Sequence, residues 1–172
     1  MKTPDMVDPG GFHSGWCPGL IGSVAALHSR YYARHWDFGV YFETKVAREM
    51  AEFFDRYDSE RDLTLSLFDG PDLSGTITID AGEPDFAERG AHLRWFITAT
   101  STRGSGLGRR LMAAAMDHVD ARNYAQVYLT TFAGLEAARH LYESFGFDLV
   151  RENTAETWGR EVSEQLFVRT AR

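Results

Sequence analysis

The stretch from Thr100 to His118, TSTRGSGLGRRLMAAAMDH, decides how the whole chain is read. Its first half is crowded with glycine, its second half has the composition of a helix, and Arg103, Arg109 and Arg110 stand around the junction. Glycine permits positive φ and close approach of backbone to a ligand. A helix start adds free amides and the positive end of the helix dipole. Three readings compete for such a turn. A nucleoside-triphosphate loop needs G-x-x-x-x-G-K-[ST], and with no lysine in the turn that reading fails. A dinucleotide fingerprint needs G-x-G-x-x-G. Here Gly104-Ser105-Gly106 is followed by Leu107, Gly108 and Arg109, so the third glycine comes one place early, and Thr130-Thr131 stand where the acidic partner belongs. The third pattern, R-x-x-G-x-G, is met by Arg103, Gly106 and Gly108, and would seat a pyrophosphate on the helix amides. Taken alone, it stands level with a plain strand-to-helix turn ringed by solvated arginines.

Upstream of the turn, residues 1–19 are rich in Gly, Pro and Asp and read as a loose lead-in, partly tied down by Trp16. LIGSVAALHSRYYARHW, from Leu20 to Trp36, has helical spacing, with Val24, Leu27, Tyr31 and His35 on one face. Phe38-Gly39 breaks it. VYFETKVAREMAEFFDRY is a second helix with Phe42, Val46, Met50 and Phe53/Phe54 as its apolar stripe. LTLSLFDG alternates as a half-buried strand does, Asp69-Gly70-Pro71-Asp72 is a turn, and GTITID from Gly75 completes a hairpin. AHLRWFIT leads into the glycine turn and a helix to about Arg122. Strand QVYLTT, helix LEAARHLYESF and strands FDLVRE and EQLFVR close the chain, the last two around Trp158-Gly159. This order predicts an α/β domain of mixed α+β type over residues 20–172: a mixed sheet of six to seven strands with helices on both faces.

Composition narrows the function classes. The 172 residues are 44% hydrophobic and 13% aromatic, as a single soluble domain is, and no apolar run approaches membrane-spanning length. The net charge of −7 argues against nucleic acid as a partner, because neutralising phosphates needs a basic surface. No apolar signal core opens the sequence, and the one cysteine, Cys17, cannot form an internal disulfide; both point to the cytoplasm. No metal-ligand spacing stands out.

Downstream, Ala138, Leu141, Tyr142, Gly146 and Phe147 spell A-x-x-L-Y-x-x-x-G-F. Together with R-x-x-G-x-G at this separation, the pattern resembles the GNAT superfamily of N-acetyltransferases over about Leu63 to Arg169. LHSRYYARHWDFGVYFETKVAREM, LRWFI and YLTTFAGLEAARHLYESFGF are also similar to the acetyltransferase half of bacterial proteins that fuse a MarR-type regulator to a GNAT domain. The resemblance implies a splayed GNAT sheet with acetyl-CoA in the cleft. Its pantetheine would pair with backbone at Phe96, Ile97 and Thr98, and its pyrophosphate would sit on Arg103, Gly104, Ser105, Gly106, Leu107, Gly108 and Arg109. Two departures stand out: Leu135 replaces the asparagine usual seven residues before the tyrosine, and Thr100 occupies the region of the usual proline.

Direct acetyl transfer needs a neutral amine, a polarised thioester and a proton for the leaving thiolate. The resemblance makes Tyr142 the proton donor, against the bland alternative of a core tyrosine. His28, His35, Glu43 and His92 are candidate bases, each against an ordinary structural role, with a water chain as the remaining option. The early helices of this family wall the acceptor site, which brings His28, Tyr31, Tyr32 and Trp36 forward as acceptor-binding residues, and Trp158 as a cap. The predicted activity is acetyl-CoA-dependent N-acetylation of a primary amine on a small molecule or peptide, with a homodimer as the family's habitual assembly. The rivals are a non-catalytic acyl-CoA sensor, an interaction domain of GNAT fold, and a transferase for longer acyl chains or hydroxyl acceptors.

Overall fold

In the computed structural model, residues 10–171 are described. Seven strands form one sheet: β1 (His13–Ser14), β2 (Leu63–Asp69), β3 (Asp72–Asp80), β4 (Ala91–Thr98), β5 (Gln126–Phe132), β6 (Asp148–Ala155) and β7 (Val162–Thr170), in the order β1-β2-β3-β4-β5-β7-β6. All neighbours are antiparallel except β4 and β5. The helices are α1 (Leu20–Trp36), α2 (Val40–Asp55), a short α3 (Phe86–Arg89), α4 (Leu107–Ala121) and α5 (Glu136–Ser144).

Two apolar clusters lie on opposite faces of the sheet. One joins Leu111, Met112, Ala115 and Val119 of α4 to Leu65, Ile77, Ile79 and Leu93, and reaches Tyr142, Phe147 and Phe167. The other joins Leu20 and Val24 of α1 and Phe42, Val46, Met50 and Phe53 of α2 to Leu73, Trp95 and Phe132. The α2 stripe is the one its spacing predicts. On α1 the buried stripe is Leu20, Val24, Ala25 and His28, the i, i+4, i+8 row. The expected row through Leu27, Tyr31 and His35 lies beside it, and His35 is exposed.

The lead-in is tied down differently from expectation. Residues 1–9 of it lie outside the described residues. Further on, His13 and Ser14 pair with Ser66 and Leu65 as an added edge strand, and Phe12 is 2% exposed whereas Trp16 is 45% exposed. The anchor is therefore Phe12. The hairpin strand β3 also begins three residues before Gly75. Neither strand of that hairpin is half-buried, since Thr64, Ser66, Thr76 and Thr78 are all inaccessible. With α1 over one face of β3 and α4 over the other, the three threonine hydroxyls are satisfied within the sheet: Thr64 and Thr78 lie 3.0 Å apart, and Thr76 donates to the Leu65 carbonyl at 3.0 Å, while Ser66 Oγ has no partner among the described residues. Among the described residues no helix is long and apolar enough to cross a membrane.

Candidate active site

β4 and β5 run parallel but pair only at Ala91↔Val127 and His92↔Tyr128, then diverge. A bulge sharpens the divergence. Thr78 pairs with Arg94, yet Thr76 pairs with Ile97, so β4 carries one residue more than β3 over this span. Trp95 absorbs it with φ at +47°, a region that costs a bulky side chain about 1–3 kcal/mol. The extra residue reverses the alternation. Arg94 reaches Glu49 of α2 and Trp95 packs on Phe53 of α2, so consecutive residues share one face. Phe96 then turns to the α4–α5 side, meeting Tyr142 with ring centres 6.1 Å apart.

Beyond the bulge, Phe96, Ile97 and Thr98 line a cleft of about 910 Å³ that runs along the glycine turn to Tyr142. Gly104 and Gly106 have φ of +78° and +80°, and a Cβ at either would meet nothing within 4 Å. The cleft there is open to a ligand. Ser105 N–H is satisfied by the Thr102 carbonyl and Leu107 N–H by the Ser105 hydroxyl. Among the described residues the amides of Gly104, Gly106, Gly108 and Arg109 have no acceptor, as a helix start leaves them. This is a cradle for an anion, with the α4 dipole behind it. Arg103 lines it and donates to the Tyr31 hydroxyl at 3.2 Å. Arg109 donates to Ser144, whereas Arg110 turns away, donating to the Gly10 carbonyl at 2.6 Å.

A second cavity, of about 340 Å³, opens between the splayed strands on the α1–α2 side. The two spaces share three residues: Tyr32, Phe96 and Tyr142. Tyr142 is buried, and burial first, then neighbouring Tyr32, push its phenol well above the usual tyrosine value. It therefore holds its proton at physiological pH. His28 lines the smaller cavity and donates from Nδ1 to the Val24 carbonyl at 2.9 Å. Burial, against that hydrogen bond, lowers it from 6.5 to about 4. A depressed histidine contributes stability fully above its unfolded value and loses it as pH falls from there through about 4. His28→Gln is expected to flatten the melting temperature against pH between about pH 4 and 6.5; an unchanged slope would place the acid sensitivity elsewhere.

His92 lies on the opposite wall, stacked on Tyr128 with ring centres 4.3 Å apart. Its Nδ1 lies 3.1 Å from the Glu83 carboxylate, which also accepts from the Tyr128 hydroxyl at 2.6 Å. Burial alone would raise Glu83, but His92, then Tyr128 and Arg94, outweigh it and hold the carboxyl at about 2. An ionised carboxylate only accepts, so Nδ1 carries the proton and Nε2 keeps its lone pair. Burial lowers the imidazole against the opposing pull of Glu83, which keeps it neutral.

The remaining expectations fare unevenly. Tyr32 lines both spaces, but Tyr31 and Trp36 line the larger cleft and not the smaller cavity. Trp158 caps the smaller cavity against Phe132 at 5.5 Å. Glu43 lines neither space and is exposed. At 100° per residue, Lys45 and Glu49 occupy the α2 flank that faces the cavity, and Glu43 the other flank. Sequence reading missed Glu83, Arg94, Glu49 and Tyr128. Glu49 had a signal, lying seven residues after buried Phe42 on the same face; Glu83, in a turn-like loop, had none.

Comparison with known proteins gives this geometry a family. Residues 27–147 match the acetyltransferase (GNAT) family. Comparison with curated proteins found no match. Among solved structures, an acetyltransferase from Streptococcus agalactiae superposes with a TM-score of 0.68 at 16% identity, covering 94% of this chain and 99% of that one. A ribosomal-protein-alanine N-acetyltransferase from Brucella melitensis gives 0.70 at 15% identity, covering 92% and 99%. An aminoglycoside 6'-acetyltransferase type Ii gives 0.61 at 19% identity, covering 89% and 90%. These likenesses speak for the fold, and the family match spans most of the chain and both cavities' central residues: the chain belongs to the acetyltransferase (GNAT) family.

Proposed function

We propose that the chain transfers an acetyl group from acetyl-CoA directly to a primary amine of a small molecule or peptide. The observation that carries this reading is the meeting of two cavities at Tyr142, Tyr32 and Phe96. A sensor that only binds acyl-CoA would use the larger cleft and have no need of the smaller one. The unsatisfied amides and open glycines fit a pyrophosphate, and the bulged backbone from Phe96 to Thr98 fits an extended amide-bearing arm. Bound there, acetyl-CoA supplies the activated acetyl thioester.

The chain's own residues supply the proton handling. His92 Nε2 takes the proton from the attacking amine, while Glu83 fixes the ring and its tautomer. The Tyr142 hydroxyl donates to the departing sulfur, for which its retained proton suits it. Glu43 has no part in this, being exposed on the far flank of α2. The likeness to regulator-fused acetyltransferases rests on sequence stretches alone, and a cytoplasmic setting fits a chain with one cysteine. The test is amine-dependent release of thiol from acetyl-CoA, run over a panel of amines. Tyr142→Phe is expected to keep acetyl-CoA binding and to lower kcat by about 10²-fold. Full turnover in that variant would remove Tyr142 from the chemistry, and binding with no turnover for any amine would favour the sensor.

A further inference from the structure

One side chain ties the acceptor cavity together without any role in the scheme above. Arg94 is only 11% exposed and makes three ion pairs to three different segments. It meets Glu49 of α2 at 2.5 Å, Asp80 of β3 at 3.2 Å and Glu83, in the loop before α3, at 3.2 Å. Its guanidinium also lies over the Trp95 ring, 4.2 Å from the centre. The first and third contacts join two residues that line the cavity, the second ties Arg94 to buried Asp80 behind it, and the fourth holds the residue that carries the strained bulge.

We propose that Arg94 is a positioning residue for acetyl transfer: it clamps the β4 bulge and the Glu83–His92 pair into one rigid unit and sets the pH range in which His92 acts. Asp80 does not need Arg94 for its own neutralisation, because Arg56 already holds it with two hydrogen bonds of 2.7 Å. Glu49 has Lys45 as a second partner. Among the described residues, Arg94 is the one arginine or lysine within ion-pair distance of Glu83, whose other close partner is the His92 imidazole. Removing Arg94 therefore leaves Glu83 to pull on the imidazole alone.

The charged and titratable groups around His92 fix the sign. Glu83 from the loop and Asp80 from β3 favour the imidazolium, Arg94 opposes it, and the Tyr128 ring of β5 lies flat against it, with Arg89 of α3 over that ring at 4.2 Å. Loss of Arg94 removes an opposing charge next to the ring, so His92 holds its proton to higher pH. The base form that transfer requires then appears later on the pH scale.

The inference rests on His92 being the base, and the experiment separates the two. kcat/KM for acetyl transfer is measured against pH for wild type, Arg94→Met, Glu49→Gln and His92→Gln, with acetyl-CoA binding followed by thermal shift. Arg94→Met keeps an apolar stem on Trp95 and is expected to move the acidic limb up by about one pH unit. It should lower kcat at neutral pH about tenfold at unchanged acetyl-CoA affinity. Glu49→Gln loosens only the α2 anchor, leaves the fold's buried aspartates paired, and should lower kcat with a smaller displacement of the limb. If Arg94→Met does not fold, Glu49→Gln carries the test, and a wild-type profile there overturns the proposal. A folded Arg94→Met with the wild-type limb and kcat also overturns it. If His92→Gln keeps the same acidic limb as wild type, the base assignment itself falls.

Discussion

Replacing His92 by glutamine is expected to lower kcat/KM for acetyl transfer by about 10²- to 10⁴-fold, the range that a general base contributes. Glutamine fills similar space and can still donate to Glu83, but it has no lone pair basic enough to take the amine proton. The change is local: His92 lies in the smaller cavity, away from the glycine turn, so stabilisation by acetyl-CoA should persist. The loss should be greatest for amines of high pKa, which arrive protonated at neutral pH. A variant that keeps its rate with such amines would mean that water removes the proton, and His92 would revert to a stacked partner of Tyr128.

The second large effect concerns the cradle. Acetyl-CoA at about a hundred times its Kd should stabilise the wild type by about 2.7 kcal/mol. For a domain of this size that is a rise in Tm of roughly 5–10 °C. Gly106→Glu should abolish the rise. The glutamate Cβ meets no atom within 4 Å, so the fold has room for it, but its carboxylate sits among the amides that would receive the pyrophosphate. The left-handed φ of +80° adds about 1–2 kcal/mol of strain for any side chain. Gly106→Ala separates the two effects, lowering the baseline Tm while keeping most of the acetyl-CoA shift. A full shift in Gly106→Glu would move the anion site off the turn.

Much of this site is legible in the sequence, for reasons that particular residues make plain. Helical and strand periods place α2, α4, β4 and β5 within a few residues of their observed bounds, because each has an unbroken apolar row. The glycine turn is legible because phosphate cradles depend on backbone, which glycines betray. Tyr142 comes forward through the resemblance to the GNAT family that its A-x-x-L-Y-x-x-x-G-F pattern carries. The bulge is not, since AHLRWFIT alternates without a glycine or proline, and a tryptophan is the last residue expected at positive φ. That one hidden residue puts Trp95 on the same face as Arg94 and sends Phe96 to the face that plain alternation would deny it. Glu83 and Arg94 escape for another reason: their importance lies in contacts between segments far apart in sequence, where no local period exists. Glu43 misleads because it flanks the buried stripe as closely as Glu49 does, and only the packing of α2 decides which flank meets the cavity.

The two-rung junction between β4 and β5 also bears on how the domain comes to exist. Strands β1 to β4 lie side by side in chain order, and β5 pairs with β7, which pairs back on β6; the β2–β3, β3–β4 and β6–β7 pairs are the ones that join close neighbours along the chain. Those three pairings have low contact order, because the connections between them are short. The junction is what joins β1–β4 to β5–β7, through only Ala91↔Val127 and His92↔Tyr128. His92 and Tyr128, one of its two rungs, are also the stacked floor beneath Glu83. The joining of the two halves of the sheet and the assembly of the Glu83–His92–Tyr128 group are thus the same event.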